Sequence, residues 1–360
     1  MGDKAFLGYH PEEFGLSEPL SQDLTKLDRL LGEVLRVQEG DRLIELSRKM
    51  LAGASIEELP ELSDPAMIRQ VARAFTVFFQ LANTAEQKEI VRVNRLREDR
   101  RESIADAVGQ LKARGCTADQ VRELLAKIEI SPTLTAHPTE AKRRAVLDKL
   151  VSIALLLAKS EAPLPLTAHL DAESLPLEEI ERTLTELWQT DEMRSQRLTV
   201  PEEVRNALYF FERTIMEVVP WLHEDLEKAL AATYPGEEFR VPTFLTYRSW
   251  VGGDRDGNPN VTPEITWNTL LEHRILALET YLKYAGDLRR ELTESTKLVP
   301  ISDEMKASIE KDRGELPYSR EQLKRYSQEP YVVKMLGVEM RLRAALEKVR
   351  ATLESGRRGG

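Results

Sequence analysis

Apolar residues recur at three- and four-residue intervals along most of this chain, and alternation of period two appears in only two stretches. From Leu20 to about Ala52 the apolar set is Leu24, Leu27, Leu30, Leu31, Val34 and Leu35, then Leu43, Ile44 and Leu46. It predicts two helices broken at Gly40-Asp41. Ser63-Asp64-Pro65 opens a third helix that runs to about Arg101, with Ile68, Val71, Phe75, Phe78, Phe79 and Ala82 on one side and an arginine-rich C-terminal end. Thr117 and Gln120 have capping-box spacing before a helix ending near Lys127. Residues 1–19, with Pro11 and Pro19 and little periodicity, read as a loosely held arm.

The first alternating stretch, Ile128, Ile130, Leu134 and Ala136, predicts a strand that stops at Thr135-Ala136-His137-Pro138 and feeds a helix beginning at Pro138. Ala145 to Ala158 is the most apolar part of that helix, and Pro163-Leu164-Pro165 is a linker after it. Further helices are expected from Leu177 to Glu192 and from Pro201 onward, the latter kinked or interrupted at Pro220. Tyr234-Pro235-Gly236 is a turn. Val241 to Trp250 is the second strand, and Pro263-Glu264 starts a helix reaching about Glu294. The remainder is charged helix broken at Pro317 and Pro330, with a frayed end from Ser355 to Gly360. The fold expected is mainly α, with two isolated strands that each lead through a polar loop into a helix.

Composition changes this picture little and limits function more. Lys plus Arg number 51 against 61 Asp plus Glu, a net charge of −10, and no long basic run interrupts it. Nucleic acid is therefore not expected as the main partner. The single cysteine, Cys116, excludes an internal disulfide and fits a reducing compartment. Residues Met1 to Leu7 lack the apolar core of a signal peptide, and no stretch approaches the ~20 apolar residues of a membrane span. A soluble, cytoplasmic chain without membrane contact is the expectation.

Two stretches carry candidate chemistry. In Ser131 to Arg144, S-P-T-L-T-A-H-P-T-E-A-K-R-R, His137 stands at a strand-to-helix junction, with Arg143 and Arg144 close behind it at a helix start that favours anions. A histidine satisfied by local backbone groups is the plainer alternative. The second stretch, Val251 to Asn260, holds Gly252, Gly253, Asp254, Arg255, Asp256 and Gly257. It is no EF-hand, since Pro259 occupies the obligatory glycine position and Ile265 the final glutamate position. It reads either as a tight turn with Asp–Arg pairs inside it or as Arg255, held between two carboxylates, presenting its fork to an anion. His10 lies in the arm, His169 near the linker, and His223 and His273 on charged helix faces, so no zinc-ligand spacing is present and no metal ligand is assigned. Arg194, like the arginines of 92–101, reads most simply as a helix-end or ion-pair residue.

Taken together, T-L-T-A-H-P-T-E-A-K-R-R and S-W-V-G-G-D-R-D-G-N-P-N-V-T resemble the histidine signature and the glycine–aspartate loop of the bacterial-type phosphoenolpyruvate carboxylase family. Gly32-Glu33-Val34-Leu35, Leu81 to Gln87, Trp188 to Glu192, Tyr209-Phe210-Phe211 and Glu329-Pro330-Tyr331 resemble the family in the same order, so the likeness covers essentially the whole chain. The resemblance implies a helix-rich (β/α)₈ barrel, with residues 1–127 as an N-terminal helical region and 128–360 as the first part of the barrel, about two of its strands.

It also implies a carbon–carbon lyase that joins bicarbonate to phosphoenolpyruvate, giving oxaloacetate and phosphate and feeding the tricarboxylic acid cycle. His137 matches the catalytic histidine. Arg255, with Gly252, Gly253, Asp254 and Asp256, matches the loop at a barrel strand end. Arg143, Arg144 and Arg194 match positions tied to an effector site in some members.

Family members are far longer than this chain. Their later portion is expected to hold the Mg²⁺ ligands and much of the homotetramer contact. The sequence therefore leads to the expectation of an N-terminal portion that is inactive alone. The alternative is a non-catalytic helical module, derived from that enzyme, that binds an anion or a partner through Arg143, Arg144 and Arg194.

Overall fold

The computed structural model describes residues 4–55, 58–96, 103–135, 143–159, 175–192 and 198–358. The chain is mainly helical, as the apolar periodicity predicts, and it separates into two compact units, neither contiguous in sequence. One unit comprises residues 1–103 and 139–197. The other comprises 104–138 and 198–360.

The first unit is a helix bundle. Helices α1 (Glu18–Glu39), α2 (Asp41–Leu51), α3 (Pro65–Leu96), α6 (Arg144–Lys159) and α7 (Leu175–Trp188) enclose one core. The break between α1 and α2 falls at Gly40, whose φ of +84° suits glycine. Leu27, Leu31 and Leu35 of α1 meet Ala74, Val77 and Leu81 of α3 and Ile180, Leu184 and Leu187 of α7 in that core. The linker at 163–165 lies outside the described residues, as does the end of α3 expected at Arg101.

The described part of the N-terminal arm is not loose. Phe6 is fully buried, with its ring 5.8 Å from Phe75 and 6.1 Å from Phe78. The backbone N–H groups of Leu7 and Gly8 donate to the two Asp28 carboxylate oxygens at 2.8 and 2.9 Å, and Phe6 N–H donates to the Asp28 carbonyl at 2.9 Å. Arg48 donates to the carbonyls of Ala5 and Phe6 at 2.6 and 3.0 Å. The periodicity-based reading misses this because the arm has no regular structure of its own. Its order comes from side chains of α1 and α2 that satisfy its backbone groups. Gly32 makes the approach possible: a Cβ there would run into Lys4 Oand the Ala5 carbonyl carbon and come within 2.5 Å of Phe6 N.

The second unit holds α4 (Ile104–Ala113), α5 (Ala118–Leu125), α8 (Val200–Phe210), α9 (Met216–Thr233), α10 (Pro263–Glu291), α11 (Asp303–Glu315), α12 (Arg320–Arg325) and α13 (Pro330–Arg358). The Thr117–Gln120 capping box is formed in both directions, at 2.9 and 3.3 Å. The breaks at Pro317 and Pro330 fall where expected, while the tail continues as helix to Arg358 and so is not frayed from Ser355. Pro220 does not interrupt its helix. A π turn, Phe211–Ile215, immediately precedes α9 and adjoins the place where Pro220 withholds an N–H from the Met216 carbonyl. His223 and His273 also differ from expectation. His223 Nδ1 lies 2.9 Å from the Val219 carbonyl and its ring 4.4 Å from that of Phe244, while His273 is half-buried near Phe211 and burial pushes its imidazole down.

The two strands are shorter than predicted, and they are not isolated. β1 (Thr133–Leu134) and β2 (Arg248–Ser249) pair in parallel, Thr133 with Arg248 and Leu134 with Ser249, and a bridge joins Ile130 to Leu245. Pro132 has no N–H to give, which cuts the ladder between bridge and strand. Phe244 and Leu245 are buried, whereas Ile128 and Ile130 are exposed.

Gly32→Ala is expected to lower the unfolding free energy by roughly 1–3 kcal/mol through overpacking, measured by urea denaturation. An unchanged midpoint would mean that the arm does not depend on this approach. Burial, with the nearby Asp28 carboxylate, pushes the Tyr9 phenol up to about 12. An unfolded tyrosine titrates near 10, so between about pH 10 and 12 the unfolded chain has lost a proton that the folded chain keeps. The contribution from Tyr9 is therefore complete below that window and is lost as pH rises through it. Tyr9→Phe should flatten the fall of the urea midpoint across the window, and an unaltered slope counts against the assignment.

Candidate functional site

The chemistry-bearing loop begins where β2 ends. Trp250 N–H donates to the Leu134 carbonyl at 2.7 Å and Arg248 N–H to the Pro132 carbonyl at 2.9 Å, so β1 and β2 finish side by side. Parallel pairing sends both chains out of the same end of the sheet. His137 follows Leu134 by three residues and Gly252 follows Trp250 by two. In open and closed α/β sheets, ligands gather at this carboxyl end.

Val251 anchors the loop. It is buried with Val204 and Ala207 of α8, and Leu134 of β1 packs against the same cluster. Gly252 has φ +79°. A Cβ there would collide with the Thr269 hydroxyl and approach Val204 Cγ2 to 2.7 Å, so both conformation and space require glycine. Gly253 has no such crowding, with only Trp250 O at 3.6 Å, and Gly257 needs glycine for its φ of +67° alone.

The polar side chains shape the loop by turning inward on its backbone. Asp254 Oδ1 accepts from Asp256 N–H at 3.0 Å, and Asn258 Oδ1 accepts from Asn260 N–H at 3.1 Å. Both are Asx turns. Thr262 caps α10, accepting from Ile265 N–H at 3.2 Å, with Pro263 at the first helical position.

Arg255 is exposed, and its Nη2 donates to Thr266 Oγ1 at 3.2 Å. Among the described residues no ion pair joins it to Asp254 or Asp256. This corrects the sequence expectation of an arginine held between two carboxylates and, equally, the plainer one of Asp–Arg pairs within a turn. A backbone N–H has taken the Asp254 oxygen, and a helix-borne hydroxyl has taken the arginine. Thr266 was not singled out from sequence, and its only signal there is its place four residues after the cap.

His137 and Arg194 lie outside the described residues. Arg143 precedes the first residue of α6, and its carbonyl accepts from Val146 and Leu147 N–H at 2.9 and 3.2 Å. The described helix thus begins at Arg144, and residues 136–142, including the start expected at Pro138, lie outside the described residues. Arg143 Nη1 donates to the Asp191 carbonyl at 3.1 Å. That segment is tied down in turn by α3: Arg73 donates to the carbonyls of Trp188 and Thr190 and lies 4.8 Å from the Trp188 ring centroid, and Gln80 donates to Glu192. Trp188 Nε1 donates to Glu39 at 2.9 Å. Arg143 and Arg144 belong to the first unit, and β1, β2 and the glycine–aspartate loop to the second.

Among the described residues, no group of three or more His, Cys, Asp or Glu side chains is placed to hold a metal ion. They do not fit a magnesium site, and no step is derived through one. No described helix is long and apolar enough to cross a membrane.

Comparison with known proteins places this arrangement in a family. The family model described as phosphoenolpyruvate carboxylase matches residues 20–359, and the chain belongs to that family. It is 42% identical over 304 residues to a phosphoenolpyruvate carboxylase of Rhodothermus marinus, covering 79% of this chain and 32% of the relative. It is 36% identical over 362 residues to that of Roseiflexus castenholzii, covering 95% of the chain and 38% of the relative. With the Azorhizobium caulinodans protein it shares 33% over 353 residues, 93% of the chain and 37% of the relative. The chain thus spans about a third, 32 to 38%, of the length of these curated relatives.

The two loop glycines separate space from conformation. Gly257→Ala, with nothing near its Cβ, should cost about 1–2 kcal/mol, the penalty of a left-handed alanine. Gly252→Ala carries the same penalty and a collision besides, and it should cost roughly 2–5 kcal/mol. Urea denaturation of the two variants checks this, and equal losses would show that the loop yields freely at Val204 and Thr269.

Proposed function

We propose that this chain contributes part of the active site of a phosphoenolpyruvate carboxylase, the lyase that adds bicarbonate to phosphoenolpyruvate and yields oxaloacetate and phosphate. The supporting observation is the parallel pairing of β1 and β2. It releases the histidine signature and the glycine–aspartate loop from neighbouring strand ends, the place where an α/β architecture presents groups to a ligand. Residues 1–127 act as a helical region ahead of a (β/α)₈ barrel that begins in 128–360, with β1 and β2 as two of its strands.

In this reading the phosphoryl group passes from phosphoenolpyruvate to bicarbonate, leaving the enolate of pyruvate and carboxyphosphate. His137 takes the proton of carboxyphosphate as carbon dioxide and phosphate separate, and the enolate carbon then attacks carbon dioxide. An imidazole suits that step because its ordinary pKa lies near neutrality. Arg255, exposed and bound to a neutral hydroxyl, has N–H groups to offer an anionic oxygen, and the loop residues Gly252, Gly253, Asp254 and Asp256 hold it there. Mg²⁺ is the cofactor in this reading; its ligands would come from the later portion of the family's longer polypeptide, and it would supply positive charge to the phosphate group. Arg143, Arg144 and Arg194 serve an anionic effector. The active assembly is a cytoplasmic homotetramer of the family's longer polypeptide.

The test is oxaloacetate formation from phosphoenolpyruvate, bicarbonate and Mg²⁺ by this chain mixed with a separately produced polypeptide covering the rest of the Rhodothermus marinus relative. The mixture is expected to turn over, and His137→Asn in this chain to lower the rate roughly 10²–10⁴-fold. Full activity in that variant would remove His137 from the chemistry. Binding of phosphoenolpyruvate to this chain with no turnover in the mixture would favour the non-catalytic module.

A further inference from the structure

We infer that the Thr266 hydroxyl is a positioning group for Arg255, setting the guanidinium toward an anion at the strand end; this rests on the anion-binding role proposed for Arg255. A threonine hydroxyl has one proton to give and two lone pairs to accept with. Inside a helix the ordinary use of that proton is the carbonyl four residues back. This chain follows the rule: Thr76 reaches Ala72 O at 2.8 Å, Thr84 reaches Gln80 O at 2.8 Å, and Thr269, one turn beyond Thr266, reaches Ile265 O at 2.8 Å.

Thr266 departs from it. Its nearer acceptor is the Gly252 carbonyl across the loop at 2.9 Å, with the back-bond to Thr262 O longer at 3.2 Å. The same oxygen accepts from Arg255 Nη2 at 3.2 Å. One hydroxyl thereby connects the positive-φ glycine that opens the loop to the loop's arginine, over a separation of 14 residues on one side and 11 on the other. Donation to Gly252 O directs the lone pairs away from that carbonyl, and one of them meets the guanidinium. Gly252 follows the buried Val251 and lies so close to Thr269 and Val204 that a Cβ would not fit, so the hydroxyl is anchored on a closely packed stretch of backbone. Arg255 Nη2 is then held against the first turn of α10. The remaining N–H groups of the fork stay available, and the amino end of the helix adds to the favourable field for an anion.

Thr266→Val removes the hydroxyl and keeps the shape, and Thr266→Ser keeps the hydroxyl. The experiment is NMR on the full chain, with the Arg255 guanidinium signals assigned by Arg255→Lys and circular dichroism confirming that each variant is folded. Without ligand, hindered rotation of the guanidinium is expected in the wild type and in Thr266→Ser, and averaged signals in Thr266→Val. Titration with phosphoenolpyruvate should then move the Arg255 signals in all three, with the affinity of Thr266→Val lower by roughly threefold to tenfold, about the worth of one ordinary hydrogen bond acting through the arginine. Identical rotation and affinity in Thr266→Val would overturn the inference. Altered rotation with no response to phosphoenolpyruvate in any form would instead overturn the anion-binding reading of Arg255 and leave the positioning by Thr266 supported.

Discussion

The site depends on the backbone hydrogen bonds that run between 130–134 and 244–250. They join segments more than a hundred residues apart, and two parallel strands make a weak pair in isolation. What holds them is side-chain packing beyond the ladder. Val251 shares a buried cluster with Val204 and Ala207 of α8, Leu134 of the other segment packs against it, and Phe244 and Leu245 enter the core formed by α4, α5 and α9. The ladder sets direction and register, and the two clusters supply the apolar burial that keeps it closed. A one-residue slip would take Val251 out of its cluster and move Gly252 off the one place where Thr269 and Val204 leave no room for a Cβ.

Close backbone approach recurs as the device that fixes irregular segments in both units. In the first, the arm lies directly on Gly32 of α1, and Asp28 and Arg48 satisfy its backbone groups. In the second, Gly337 of α13 leaves room for the Tyr318 hydroxyl, which donates to the Val333 carbonyl at 3.0 Å. Near it Asp312, almost fully buried, is met by Lys334 and Arg341, each at 2.7 Å. A buried carboxylate with two cations and a hydrogen-bond network is costly to break on one side only. That cluster pins α11 to α13 much as Asp28 pins the arm to α1. In each case a side chain supplies partners that helix and sheet ladders would otherwise provide.

The helices were legible because their signals are local. The Thr117 cap and the apolar spacing were read directly, and the structure adds N-caps of the same kind at Ser17, Thr199, Thr262, Ser302 and Ser319. Strand length was overread, because alternation over 128–136 says nothing of Pro132 failing as a donor. The ordered arm and the packed rings of His223 and His273 were illegible for the opposite reason. Their partners lie on other elements, and no period in the sequence points across space. At the loop, residue types announced a shaped, polar turn, but which oxygen would meet which donor could not be read. The aspartate adjacent to Arg255 in sequence turned out to serve the backbone, and a threonine eleven residues away serves the arginine.

That exchange of partners decides what the loop can do. Elsewhere on this acidic chain arginines are met by carboxylates: Arg122 by Asp119 and Glu237, Arg289 by Glu339, Arg350 by Glu279. Flanked by two aspartates, Arg255 would be expected to go the same way. On one side the Asx turn takes Asp254 Oδ1 to the Asp256 N–H, and the positive φ values at Gly252 and Gly257 bend the backbone on either side of the turn. The guanidinium meets a neutral oxygen instead, which orients it without neutralising it. A loop built to bury its own charge would pair the residues next to one another. This one spends its carboxylate on shape and keeps a cation exposed at the end of a parallel strand pair, which is the condition for meeting an anion that arrives from solution.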